Sequence, residues 1–213
     1  MTYQREAIIY FFVQGIATLI GWNCVLNAFD VFQEEIPHYQ VTFLYPCAMY
    51  FAYGAGNILI VPISRVLSIN QRVIIHLAIQ LVAFMIMPFV VVGFSDSTIK
   101  FWVSIVLLAI MGYSNQMFQS SVSGIASQMK GFYIGYFLSG SGLSGIIMNV
   151  SKMITLLTFP KEWSNTIGMF AYFSVGGVIF IACIVLHLKF QHNPLYKMRI
   201  EEPQTHHHEH HEK

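Results

Sequence analysis

Residues 101–123 read FWVSIVLLAIMGYSNQMFQSSVS. No charged side chain interrupts the stretch, and at about 1.5 Å per residue a helix of that length crosses the roughly 30 Å hydrocarbon core of a bilayer. Its two side-chain amides of most interest, Asn115 and Gln119, must then face protein or water, because polar groups inside a membrane rarely face lipid. An earlier stretch of the same kind carries Trp22 and Asn23.

Working outward, five further apolar runs of spanning length lie at 8–29, 41–67, 73–93, 132–158 and 167–188. Across the 213 residues, 55% are hydrophobic, 15% aromatic and only 10% charged. That balance excludes an ordinary soluble domain. Continuous apolarity with interior Gly and Ser, in place of strict alternation in segments of about ten, selects helices over an outer-membrane barrel. The expectation is an all-α membrane protein with six transmembrane helices over residues 1–197. The first run, followed by five more, is too long for a cleaved signal peptide. The connections are short and polar, such as Glu34-Glu35-Ile36-Pro37-His38, Ser68-Ile69-Asn70-Gln71-Arg72 and Ser95-Asp96-Ser97, so no second domain is expected outside the bilayer.

Arg5, Arg65, Arg72, Lys130, Lys189, Lys197 and Arg199 fall on one side of these runs, against Lys100, Lys152 and Lys161 on the other. By the positive-inside rule both termini are cytosolic, as an even number of crossings requires. Cys24, Cys47 and Cys183 lie inside separate apolar runs and read as small buried hydrophobes, not as a disulfide framework. No Asp or Glu occupies the middle of a run, so the chain offers no carboxylate relay for proton coupling.

At 100° per residue, Gly112, Asn115, Gln119 and Ser123 share one face of the fourth run. That face is either the polar wall of a solute pathway or a seam of amides bonded to a neighbouring helix. In the first run, Gln14, Thr18, Gly21, Trp22 and Val25 lie on one side, with Asn23 and Asn27 about 100° or more away. Trp22 offers a flat surface on which an aromatic base could stack, while Asn23 ties the helix to a neighbour. The fifth run carries Gly131, Gly135 and then Ser139-Gly140-Ser141-Gly142-Leu143-Ser144-Gly145. Such small residues let helix backbones approach closely, which assigns Gly140, Gly142 and Gly145 to helix packing. Pro46, Pro62 and Pro88 permit kinks.

The run Gly15-Ile16-Ala17-Thr18-Leu19-Ile20-Gly21-Trp22-Asn23 resembles the first-helix signature of the equilibrative nucleoside transporters, with Gly21 where that family has proline. The resemblance continues in order through Cys47-Ala48-Met49, Gln71-Arg72-Val73, Phe118-Gln119-Ser120, the 139–145 stretch and the exit from 189 to 196. It implies an eleven-helix fold, six then five, with one substrate site between the halves, of which this sequence matches the first six. It implies facilitative transport of nucleosides or nucleobases without a cofactor. By position, Trp22 and Gln119 would line the site, Gln119 hydrogen-bonding the base and Trp22 packing against the substrate, with Leu19, Leu26, Met49 and Asn115 as neighbours. The Asp and Arg pair that the family places in its second half has no counterpart here.

A two-part cavity needs its other half, so the expected partners are the solute, the lipid bilayer and a second half-transporter or a second copy of the chain, with no role for nucleic acid. The plasma membrane is the expected location. The polar tail, 198–213, holds five histidines in 206–211; without fixed geometry they read as a solvated low-complexity segment, and no metal site is expected. Two rivals remain. A membrane scaffold would use the amides and small residues only to knit a bundle, and would not transport. An intramembrane serine protease would draw on Gly142-Leu143-Ser144-Gly145 and His187, in resemblance to the rhomboid proteases. Ser144, however, lies about 12 residues, roughly 18 Å, inside its run while His187 sits at the edge of its own, out of reach.

Overall fold

The computed structural model describes residues 2–129, 131–159 and 161–201. In chain order they form α1 (Thr2–Asn27), α2 (Phe29–Glu35), α3 (Val41–Ser64), α4 (Ile69–Gly93), α5 (Ser97–Gln128), α6 (Phe132–Thr158), α7 (Lys161–Phe190), α8 (Pro194–Tyr196) and a π-helical turn, Lys197–Glu201. No strand occurs among the described residues. Among the described residues, five helices, α1, α3, α4, α5 and α7, are long and apolar enough to cross a membrane. The sixth expected crossing coincides with α6, which has 27 residues but is not among those five. Its Ser/Gly stretch at 139–145 and Lys152 dilute the apolar character that the others keep.

Helix starts follow from capping chemistry. Ser68 and Gln71 form a reciprocal capping box at α4, with Gln71 N donating to Ser68 Oγ and Ser68 N donating to Gln71 Oε1 at 3.0 Å. Asp96 caps α5 by accepting from Thr98 N at 2.7 Å. These caps carry helix beyond the apolar runs: α5 spans 97–128 against the 101–123 read from hydropathy, and α4 begins at Ile69 rather than at 73. The polar connection expected after the first run is instead partly helical: the chain turns at Ala28 and forms α2, which buries Val31 and Phe32. Those two apolar side chains, with the Phe32 ring 5.4 Å from that of Tyr45, give the short helix a face to pack. At the other end, residues 198–201, expected as the start of the polar tail, complete the π-turn, where Ile200 is buried. The histidines at 206–211 lie outside the described residues.

α1 is the most buried of the long helices and α3 the least. α1 packs chiefly on α6 and α7, and α5 on α3 and α4. The beginning and end of the described chain meet at one end of the bundle, where Asn193 Nδ2 donates to Glu6 Oε2 at 2.8 Å and the Tyr196 hydroxyl bonds Asn70 Oδ1. At the opposite end Lys100 pairs with Glu35, and Lys152 Nζ donates to Asp30 Oδ2 at 2.9 Å and to the Asn27 carbonyl at 3.0 Å. Two of the three lysines that run against the majority charge distribution are thus each matched by an acid.

Candidate functional site

The polar face read on the fourth run is carried by α5, and α3 lies directly along it. Gly112 and Gly56 make that approach possible. A Cβ on Gly112 would stand 2.4 Å from the Met49 carbonyl oxygen, and one on Gly56 would stand 2.9 Å from Gln116 Cβ. With both helices so close, side chains on successive turns reach across the seam. The Tyr53 hydroxyl donates to Gln119 Oε1 at 2.6 Å. One turn further along α3 and one turn back along α5, Gln116 Nε2 donates to Asn57 Oδ1 and also to Ser120 Oγ, the latter at 2.8 Å.

Gln119 and Tyr53 are both half-buried, whereas Gln116 is nearly enclosed. Asn115 is 1% exposed, and its Oδ1 has no hydrogen-bond partner among the described residues; nor has Gln116 Oε1. A buried amide oxygen without a donor is costly in a protein interior, and such atoms call for a water or solute partner or mark a functional position.

Trp22 reaches the same helix from α1. Its ring meets Tyr50 edge-on, with centroids 5.8 Å apart at 64°, and Phe29 at 6.1 Å and 82°. Tyr50 and Tyr53 are one turn apart on α3, so Trp22 and Gln119 abut successive turns of one helix. No hydrogen bond joins Trp22 to Gln119 among the described residues. Leu19 and Leu26 flank Trp22 on its face of α1 and are each 40% exposed. Met49 is buried at the Gly112 crossing.

Asn23 points elsewhere. Its Nδ2 donates to Ser144 Oγ on α6 at 2.8 Å, and Ser144 in turn donates to the Ser141 carbonyl at 2.7 Å. Gly140 sits on α1, where a Cβ would come within 2.0 Å of the Phe12 carbonyl oxygen. Gly145 faces the Asn23 amide at 3.8 Å, while Gly142 meets nothing within 4 Å and lies at no helix contact. His187, buried on α7, shares a 2.7 Å hydrogen bond with the Tyr10 hydroxyl, so Ser144 and His187 have different partners and form no nucleophile–base pair.

The side chains at the α3–α5 seam and around Trp22 are amides, hydroxyls and aromatic rings, none of them charged. Amides donate and accept in a plane, and aromatic faces stack, so this set suits an uncharged planar ring with polar edges. Sequence reading passed over Tyr50, Tyr53, Asn57 and Gln116. The signal was present: Tyr50, Tyr53 and Asn57 stand at i, i+3 and i+7 in the second apolar run, and Gln116, Gln119 and Ser120 at i, i+3 and i+4 in the fourth, so each set shares a helix face.

A five-helix apolar bundle with an uncharged, amide-lined seam defines a multi-pass integral membrane protein with a polar interior face. Residues 103–213 match the family model described as nucleoside transporter, which covers more than half of the chain, and the chain belongs to that family. Among curated proteins it is similar to Equilibrative nucleotide transporter 8 of Arabidopsis thaliana, at 25% identity over 214 aligned residues, covering 90% of this chain and 53% of the relative. It is also similar to Equilibrative nucleotide transporter 1 of the same plant, at 21% identity over 201 residues, covering 92% of this chain and 45% of the relative. The chain spans about half the length of these curated relatives. The family is one of transporters, not of enzymes.

Proposed function

We propose that this chain is half of a facilitative transporter that passes nucleosides, and nucleobases with them, down their gradient. In this reading α6 makes the sixth crossing, residues 1–197 form the membrane bundle, 198–213 lead into a cytosolic segment, and both termini face the cytosol of a plasma-membrane protein. The observation that carries the reading is the placement of Trp22 and Gln119 against successive turns of α3, through Tyr50 and Tyr53. That arrangement supplies an aromatic surface and an oriented amide on one side of a cavity whose other side a second half would close, whether from a longer polypeptide or from a second copy.

The solute is a nucleoside rather than its phosphate esters. No Lys or Arg stands among the residues of this face, and a phosphate carries charge that would go unpaired there. Passage is downhill, since no carboxylate lies in mid-membrane to couple protons. A scaffold role draws its support from the Gln116–Asn57 and Asn23–Ser144 bonds, which knit helices together. It gives no reason for Gln119 to be half-buried with an unused amide nitrogen.

The test is substrate affinity of Trp22→Ala and Gln119→Ala at matched membrane abundance. A rise in half-saturating nucleoside concentration of about tenfold for each supports the assignment, on the scale of one lost hydrogen bond or stacked ring. Unchanged uptake by both variants removes these residues from the site.

A further inference from the structure

The Trp22 ring is held by packing. Its indole nitrogen makes no hydrogen bond among the described residues, and two rings meet it edge-on, Phe29 at 6.1 Å and Tyr50 at 5.8 Å. Edge-to-face pairs orient a ring where no polar bond does. The two supports differ in firmness. Tyr50 is 60% exposed on α3, the least buried of the long helices, whereas Phe29 opens α2, a helix anchored by the buried Val31, Phe32 and Ile36.

α2 has seven residues, too few to hold a helix unaided. Both of its ends are tied to other helices. At its start Lys152 of α6 donates to Asp30 Oδ2 at 2.9 Å and to the carbonyl of Asn27, the last residue of α1, at 3.0 Å. At its end Lys100 of α5 pairs with Glu35, whose carbonyl accepts from Ser97 Oγ at 3.4 Å. The Asp30 pair is partly solvated and weak by itself, while Lys100 is nearly enclosed and makes the stronger anchor.

From this geometry we infer that α2 is a strap pinned across the end of the bundle by ion pairs to α5 and α6, and that Phe29 is a positioning residue through which the strap fixes the Trp22 ring. The inference rests on the transporter reading above for what Trp22 meets, but its test needs neither a solute nor a second half. A ring already ordered in the free protein loses less freedom when a solute arrives, which is what Phe29 contributes to the site.

The experiment follows time-resolved fluorescence anisotropy of the 213-residue chain in lipid nanodiscs. Trp102→Phe with Trp163→Phe leaves Trp22 as the lone tryptophan. In that background Phe29→Ala is expected to raise the amplitude of nanosecond ring motion about twofold, while Phe29→Tyr, which keeps an aromatic edge, stays near the parent. Asp30→Asn combined with Glu35→Ala and Lys100→Met removes both ion pairs without stranding a buried ammonium group, and should move the ring in the same direction as Phe29→Ala. Helix content by circular dichroism confirms folding of each variant.

A folded Phe29→Ala chain with Trp22 motion as in the parent, even at a lower melting temperature, marks a purely structural phenylalanine and overturns the inference. Parent-like motion after removal of both ion pairs overturns the strap. Either result leaves the transporter reading untouched, since no solute enters the measurement.

Discussion

Gly15 and Gly140 seat their helices against each other. A Cβ on Gly15 would lie 2.0 Å from the Phe137 carbonyl oxygen, and a Cβ on Gly140 would lie 2.0 Å from that of Phe12. The α1–α6 crossing is therefore backbone on backbone, and neither helix has a flexible side chain there that could give way. Close small-residue contacts of this kind supply the packing that lipid cannot drive.

Gly140→Ala and Gly15→Ala are accordingly expected to cost about 2–3 kcal/mol each through overpacking. Gly142→Ala, two residues from Gly140 but open to its surroundings, should stay within about 0.5 kcal/mol of wild type. Thermal unfolding in detergent, followed by size-exclusion chromatography, separates the two cases.

Lys100 is 6% exposed and pairs with Glu35. Glu35→Ala strands that ammonium group and should cost roughly 2–3 kcal/mol, less than for a fully enclosed pair because Glu35 reaches solvent. Lys100→Met combined with Glu35→Ala should recover most of the loss. A melting temperature for the double variant no higher than for Glu35→Ala would contradict the pairing.

The Asn23–Ser144 bond links α1 to α6 without touching the Trp22 face. A double-mutant cycle of Asn23→Ala with Ser144→Ala should give a coupling of about 0.6–1.5 kcal/mol in stability, the range of interhelical bonds in membranes. Nucleoside affinity per folded molecule should be unchanged in all three variants, measured by binding normalised to monodisperse protein.

Gly112 sets the distance between α3 and α5 on which the Tyr53–Gln119 bond depends. Gly112→Ala would drive its Cβ into the Met49 backbone, push α3 outward and break that bond. Nucleoside affinity should fall about as far as in Gln119→Ala, up to roughly tenfold. Gly54→Ala, on α3 with nothing within 4 Å of its Cβ, serves as the control and should bind normally.

The helices were legible in the sequence because uncharged runs of spanning length have few other readings, and the wheel that grouped Gly112, Asn115 and Gln119 used only helix period. α2 was hidden because its acids, Asp30, Glu34 and Glu35, outweigh Val31 and Phe32 in a hydropathy reading. The fifth apolar run became α6 as its length implied, but its Ser/Gly stretch, Asn149 and Lys152 leave it less apolar than the five other long helices. Tyr53 and Asn57 were missed for a different reason. Periodicity shows which residues share one helix face, whereas the partner of Gln119 is fixed by the α3–α5 crossing, a tertiary contact that two glycines permit but do not announce.

The measurement that tests the central claim most directly is uptake of radiolabelled adenosine and uridine into proteoliposomes containing the 213-residue chain, against empty liposomes and with unlabelled nucleoside as competitor. The account predicts saturable, competed uptake when the second half of the pathway is present, supplied by a second copy or by co-reconstitution with the remaining half of a longer transporter, and loss of that uptake in Gln119→Ala. Uptake no greater than in empty liposomes under both arrangements, from folded and monodisperse protein, would contradict it.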